Sequence, residues 1–253
     1  MHEKKAKIVS LVPSWTETLI QAELDVVART RFCIHPAEKV KKLPAVGGTK
    51  SLNLDQLLAL KPDFVILDKE ENKKEMADVL ADHNIELLVS HIDSLKSTIE
   101  FLNELSARFQ NVKLKEFAHQ YEELTAHPSS LSVDKFFKNS VLQSNNKIDI
   151  LNLDYIIWKN PYMAIGPNTF INDVFKLFNL KLNLAESQDK KYPVVEEPQI
   201  KKSHCLFSTE PFPFLQQTEL LNAEGFNYSI VDGEKISWYG IRNLNFLLSC
   251  KTH

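Results

Sequence analysis

The sequence predicts an α/β fold in which two α/β lobes flank a helical middle. Three observations carry this. Short apolar, β-branched runs alternate with helical segments over the first ninety residues; Ser94 to His127 holds apolar residues at helical spacing alone; and strand and helix resume at Ile148. Strands separated by short helices need crossover connections, which are right-handed and leave the strands parallel. The expected organisation is an amino-terminal lobe over 1–92, a helical region over 93–147 and a carboxyl-terminal lobe over 148–253.

Each element has its own justification. Ile8–Val12 is short, apolar and β-branched, as a buried strand should be. Pro13 lacks an N–H and ends the ladder. Ser14 and Glu17 have the spacing of a capping box at a helix start, so a helix is expected from Trp15 to Leu24. Val26–Arg31 reads as a second strand, and Asn53 caps a helix ending near Leu60, before Pro62. The strand Phe64–Leu67, the charged helix Glu71–Ala81 and the strand Ile85–Val89 complete the first lobe. In the middle, Leu95, Ile99, Leu102, Leu105 and Phe109, then Leu114, Phe117, Tyr121 and Leu124, recur at helical spacing. Asn111 divides them into two helices, and Pro128 stops the second. The polar stretch 129–147 reads as a loop with a short amphipathic piece around Phe136–Leu142. A long strand Ile148–Trp158, a helix Thr169–Phe178, strands Cys205–Ser208 and Tyr228–Val231 and a helix Ile241–Ser249 follow.

The second middle helix, Val112–His127, contains neither glycine nor proline to ease a kink. Bending it would break hydrogen bonds and unpack the stripe of Phe117, Tyr121 and Leu124. Opening and closing of the lobes is therefore expected to be small. In solution scattering, the radius of gyration should fall by less than about 1 Å on ligand binding, from the ~18 Å of a compact chain of this length. A larger fall would mean that the helix is not a rigid strut.

Composition excludes several classes. A net charge of -3 argues against a nucleic-acid surface. Three cysteines without a CxxC pair form neither a disulfide framework nor a structural zinc site. The basic start MHEKKAK is followed by an apolar run of only Ile8–Val12. A secretory signal needs roughly 7–15 apolar residues, so the sequence as it stands is expected to be cytoplasmic, or periplasmic if trimmed of a leader. No stretch approaches the ~18 uncharged apolar residues of a membrane span, and a monomer is expected.

Motifs narrow the chemistry further. Without GxGxxG, GxxxxGK[ST] or GxSxG, nucleotide folds and an α/β-hydrolase lose their main support. Gly47-Gly48 reads as a turn with positive φ that would also let a ligand approach the backbone. Candidate metal ligands are Cys33, His35, His204, Cys205, Asp232 and Glu234, but no close-set pairs occur among them. Cys205, next to Leu206-Phe207, reads as a buried small hydrophobe. No intrinsic metal or cofactor is expected. Phe32, Trp158, Tyr162, Tyr192, Phe212, Phe214, Trp238 and Tyr239 instead gather at strand ends and loops. Ligand crevices of open sheets form at strand carboxyl ends, and converging aromatics there would line a cleft for a bulky ligand. Arg242, four residues after Trp238, could meet an anionic or amide-rich ligand there.

Taken together, SLVPSWTETL, RFCIHP (Arg31–Pro36), VGGTKSLNLDQLLALKPDFVI (Val46–Ile66), DKEENKKE (Asp68–Glu75), YIIWKNPYM (Tyr155–Met163), STEPFPF (Ser208–Phe214) and DGEKISWYG (Asp232–Gly240) resemble the substrate-binding proteins of iron-siderophore and cobalamin ABC importers. The resemblance is closest to the helical backbone metal receptors. It implies the class III periplasmic binding protein fold: two Rossmann-like lobes with parallel sheets, joined by a long backbone helix, with the ligand in the interlobe cleft. It also implies ligand contacts from Trp15, Phe32, Tyr192 and the Trp238–Arg242 stretch, which includes Tyr239. Thr49 and Asp68 stand where the best-known cobalamin binder has tryptophans. With Thr49 and Trp158 these residues make up the expected ligand-facing set. Glu71 or Glu75 in the first lobe, and Glu196 or Glu197 in the second, are implied to dock on an ABC permease.

The leading reading is non-catalytic binding of a cobalamin-like corrinoid or ferric siderophore. The alternative is a cytoplasmic bilobal enzyme using Cys33, His35 or His204, or an interaction protein, with a changed or lost ligand. A catalytic Cys33 would be exposed with a lowered pKa.

Overall fold

In the computed structural model, residues 5–252 are described; residues 1–4 of the basic amino-terminal stretch lie outside them. The elements run β1 (Ile8–Ser10), α1 (Pro13–Gln21), β2 (Val26–Arg29), α2 (Ala37–Val40), α3 (Leu54–Ala59), β3 (Phe64–Asp68), α4 (Lys74–Asp82), β4 (Glu86–Ser90), α5 (Leu95–Phe109) and α6 (Val112–Ala126). They continue with α7 (Val133–Ser140), β5 (Val141–Ser144), β6 (Leu153–Trp158), β7 (Met163–Ala164), α8 (Phe170–Leu177), α9 (Asn183–Ser187) and α10 (Glu197–Ile200). The last are β8 (His204–Ser208), α11 (Thr218–Ala223), β9 (Asn227–Val231), α12 (Gly233–Ser237) and α13 (Ile241–Ser249).

The chain forms two compact units. The first comprises Met1–Ile92, Ser97–His119 and Tyr239–Arg242; the second comprises Asp93–Lys96, Gln120–Trp238 and Asn243–His253. In the first unit a parallel sheet has the order β2-β1-β3-β4. Val9, Ala28, Val65 and Leu67 from its strands, and Leu11 just past β1, pack with Leu57, Met76 and Leu80 from α3 and α4. The second unit's sheet, in the order β5-β9-β8-β6-β7, is mixed: β9, β8 and β6 are parallel, while both edge strands are antiparallel. Its core is aromatic, with Phe207, Phe214, Phe226 and Tyr228 around Ile156 and Ile230.

Several boundaries move for identifiable reasons. The helix expected from Trp15 begins at Pro13, with Val12 as its N-cap and no side-chain cap. A first-turn proline is already set to helical φ and has no N–H to satisfy, so Ser14 and Glu17 are not needed as a capping box. The long strand expected from Ile148 begins at Leu153, because the N–H of Leu151 turns back onto Asp149 Oδ1 (3.2 Å). The expected loop 129–147 contains α7, capped by Ser132 Oγ, which accepts from the N–H of Lys135 (3.3 Å), and then edge strand β5. Asn111 does divide the middle helices. It caps α6 by accepting from the N–H of Leu114 (3.0 Å), after Gln110 turns at φ 48°. Asn53 caps α3 and Thr169 caps α8 in the same manner (3.1 and 3.2 Å).

Candidate functional site

At the carboxyl end of the first unit's sheet the chain builds a buried hydrogen-bonded series. The indole N–H of Trp15, in the first turn of α1, donates to Ser90 Oγ at the end of β4 (2.9 Å). Ser90 in turn donates to Asp68 Oδ2 at the end of β3 (2.6 Å). Asp68 Oδ1 accepts from the N–H groups of Glu70 and Glu71 (2.9 and 3.3 Å), and the N–H of Asp68 donates to Asn72 Oδ1 (2.9 Å). Asn72 Nδ2 closes the series on the carbonyls of Thr49 (2.8 Å) and Leu11 (3.3 Å). Trp15 is buried, with ring centroids of Phe101 and Tyr239 at 4.8 and 5.1 Å. A ring held by its N–H and two aromatic neighbours is a fixed wall.

The segment Tyr239–Arg242 clamps α1. Gly240 has φ +82°, and a Cβ there would stand 2.3 Å from Thr18 Oγ1, so glycine is required. Thr18 Oγ1 also accepts from the N–H of Ile241 (3.0 Å). Arg242 donates through Nε to Glu17 Oε2 (2.7 Å) and through Nη2 to Glu17 Oε1 (2.9 Å). The charge of Arg242 is thus matched by Glu17, which makes this ion pair and not a capping box. Burial, with the Asp68 and Glu71 carboxylates nearby, keeps the Tyr239 phenol protonated.

Phe32 is 47% exposed, with the Arg31 guanidinium 4.9 Å from its ring centroid. Gly48 lies beneath it: a Cβ there would stand 3.2 Å from Phe32 Cε2. Gly47, at φ +126°, forms the expected turn, in which the N–H of Gly48 donates to the carbonyl of Ser51 (2.7 Å).

In the second unit, Trp158 ends β6 and is 39% exposed, edge-on to Phe212 (5.6 Å). Trp238 ends α12 and donates its indole N–H to Glu210 Oε2 (3.0 Å). Tyr192 is exposed in the loop before α10. Glu71 and Glu75 are exposed around the start of α4, Glu196 is exposed, and half-buried Glu197 pairs with Lys201 (2.5 Å).

The candidate nucleophile and metal ligands have other roles. Cys33 is buried, with Thr16 Oγ1 at 3.1 Å and Thr30 Oγ1 at 3.2 Å from Sγ, and burial pushes its thiol up. Cys205 Sγ donates to the carbonyl of Ile200 (3.1 Å), and burial raises its thiol to about 12. Among the described residues no group of three or more His, Cys, Asp or Glu is arranged to hold a metal ion. No described helix is long and apolar enough to cross a membrane. A hollow of about 660 Å³ lies at the amino ends of β1 and β3, the opposite end from a ligand crevice, and its Lys113 is paired with Glu23 (2.8 Å).

His204 is fully buried at the start of β8. Its Nε2 lies 2.9 Å from Ser229 Oγ, and its buried Nδ1 has no partner. Burial lowers its pKa from 6.5. The unfolded chain therefore takes up a proton near pH 6.5 that the folded chain refuses until lower pH, and stability falls as pH falls through this window. The wild type should lose up to about 1.4 kcal/mol more per pH unit than His204→Gln in urea unfolding at pH values below that point. Parallel pH profiles for the two would show that His204 is not held neutral.

Comparison with known proteins places this geometry. Residues 8–110 match the sequence profile of the family described as Periplasmic binding protein. The vitamin B12-binding protein of Yersinia pestis is 32% identical over 131 residues, which cover 49% of this chain and 44% of that protein. The chain thus aligns with somewhat less than half the length of the curated relatives it matches. Among solved structures, the periplasmic vitamin B12-binding protein BtuF of Vibrio cholerae is 18% identical with a TM-score of 0.71, covering 97% of this chain and 95% of that one. The periplasmic haem-binding protein RhuT of Roseiflexus is 17% identical with a TM-score of 0.75, covering 97% of both chains. A possible iron-binding periplasmic protein of Staphylococcus epidermidis is 20% identical with a TM-score of 0.72, covering 97% and 96%. Residues 8–110 thus match the profile of the periplasmic binding protein family, and the chain has the class III fold of its B12- and haem-binding structural neighbours.

Proposed function

We propose that this chain is the substrate-binding component of an ABC importer and captures a bulky metal chelate of the cobalamin, haem or siderophore class without catalysis. The observation that carries the reading is the set of aromatics at the carboxyl ends of both sheets, Phe32 in the first unit and Trp158 and Trp238 in the second, with Trp15 fully buried in the first, on a fold shared with B12- and haem-binding proteins. Flat, polarizable rings suit a large macrocycle or chelate, and a few placed polar groups orient it. Thr49, Tyr192 and Tyr239 complete the proposed ligand-facing set, while Arg242 is held by Glu17 instead. The buried, raised thiol of Cys33 supports binding over nucleophilic catalysis. Exposed Glu71 or Glu75, and exposed Glu196 or half-buried Glu197, are the proposed docking points for permease cations, with the chain acting as a monomer.

Titration with cyanocobalamin, cobinamide, haemin and a ferric siderophore, followed by visible absorbance, tests the reading. One of these chelates should bind, and Trp238→Ala should weaken it by about 30-fold, the loss of a large aromatic anchor. If none of the four shifts its spectrum at protein concentrations of tens of micromolar, the proposal fails.

A further inference from the structure

Four arginines occur in the chain, and three are engaged by acceptors within the protein. Arg29 donates through Nε to the carbonyl of Val40 (2.7 Å) and through Nη1 to that of Thr30 (2.9 Å). Arg108 pairs with Glu86 and lies over the ring of Phe64, and Arg242 is held by Glu17. Arg31 differs. It is exposed, and among the described residues no carboxylate pairs with it. Its guanidinium lies instead over the half-exposed ring of Phe32, 4.9 Å from the centroid.

The place is the carboxyl end of the first unit's parallel sheet, two residues past β2, where open sheets form their ligand crevices. The backbone there is fixed. The N–H of Arg31 donates to the carbonyl of Gly47 (2.8 Å), and the N–H of Cys33 to that of Thr30 (3.1 Å). The two adjacent glycines do different jobs. Gly47 supplies a positive φ, whereas Gly48 supplies space: a Cβ there would stand 3.2 Å from Phe32 Cε2 and 3.4 Å from Arg31 Nη2. The missing side chain lets the ring and the guanidinium settle together on the loop. A guanidinium packed over a ring uses its flat face, and its N–H fork stays available to acceptors in its own plane.

Given the proposed function, on which this step rests, we propose that Arg31 is the specificity-determining cation of the first unit's ligand site and that the chelate presents an oxyanion, a carboxylate or phosphodiester, to it. The fork matches either group with two parallel N–H···O bonds, a geometry that the ammonium of a lysine does not offer. Phe32 then serves twice. It offers apolar surface to the chelate, and it holds the guanidinium in place, so less freedom is lost when the oxyanion docks. Arg242 cannot take this role, because Glu17 already occupies its Nε and Nη2.

The test titrates wild type, Arg31→Gln and Arg31→Lys with three pairs of probes, followed by visible absorbance and tryptophan quenching. The pairs are haemin and its dimethyl ester, cyanocobalamin and cobinamide, and ferric dicitrate and ferrioxamine B. In each pair only the first member carries the oxyanion; the haemin pair isolates carboxylates and the cobalamin pair the phosphodiester. Within the pair that the chain accepts, the first member should bind more tightly. Arg31→Gln should weaken that member by about 10-fold, as expected for a charge-assisted hydrogen-bonded pair, and leave the second within about twofold. Arg31→Lys should recover only part of the loss. Equal affinity for both members in wild type, or an equal loss for both in Arg31→Gln, would overturn the role of Arg31 and leave chelate binding standing. No binding of any of the six would overturn both.

Discussion

Phe207→Ala is expected to cost about 3–5 kcal/mol of stability, the range for deleting a fully buried phenyl ring from a core that collapses only in part. Phe207 lies at the middle of the second unit's sheet, on β8, and its ring meets Phe214, Phe226, Tyr228 and Tyr162 at centroid distances of 4.6, 5.3, 6.0 and 6.3 Å. Four aromatic neighbours cannot all close inward over the vacated volume. The loss should appear in the urea transition reported by Trp158 and Trp238, which belong to the same unit. Two compact units need not unfold in a single step, so the transition should be followed by tryptophan fluorescence and circular dichroism together. Phe207→Leu, which keeps most of the volume, should lose much less. A cost below about 1.5 kcal/mol for the alanine variant would mean that the cluster repacks freely.

Glu17→Ala should destabilise the first unit by about 2–4 kcal/mol, because it leaves the Arg242 guanidinium largely buried beside an apolar methyl. The side chains of Glu17 and Arg242 are only 11% and 20% exposed, and two parallel hydrogen bonds join them. Little solvent is available to replace a missing partner. Replacing both residues by methionine should recover much of the loss, since the desolvation cost of the charges disappears with the pair. A double-mutant cycle of the two substitutions should return a coupling of at least about 1 kcal/mol. Additive effects would place Glu17 and Arg242 in independent roles.

Local signals in the chain were reliable where a single residue type does a single job. Asn53 accepts the backbone N–H three residues on, as expected of a cap, and Asn111, expected only to divide two helices, and Thr169, expected to begin one, do the same. Pro13 was read as ending a strand, and it also begins the helix, which removes the need for the Ser14–Glu17 capping box. The edge strand β5 was not legible because its last three residues are exposed, so no apolar alternation marks it. β7 is two residues long and carries no period at all.

The candidate site divides in the same way. Trp15, Phe32, Trp158 and Trp238 are named by residue type and by their places near strand ends. Their surroundings are not. Ser90 and Asp68 bond in a series with Trp15 although 75 and 53 positions separate them from it, and Glu17 and Arg242 are 225 apart. Glu210 reaches Trp238 across 28 residues.

By itself the sequence determined the α/β class, the parallel character of the first lobe's sheet, the helical middle and the aromatic character of the strand ends. These follow from periodicity, turn chemistry and side-chain type, which act over a few residues. Only the tertiary structure decided which charge meets which. Whether Arg242 faces a ligand or Glu17, and whether Trp15 is held by Ser90, depend on burial and on partners brought together by the crossovers. Hydrogen bonding and desolvation act at contact distance in space, and a linear pattern carries no record of that distance.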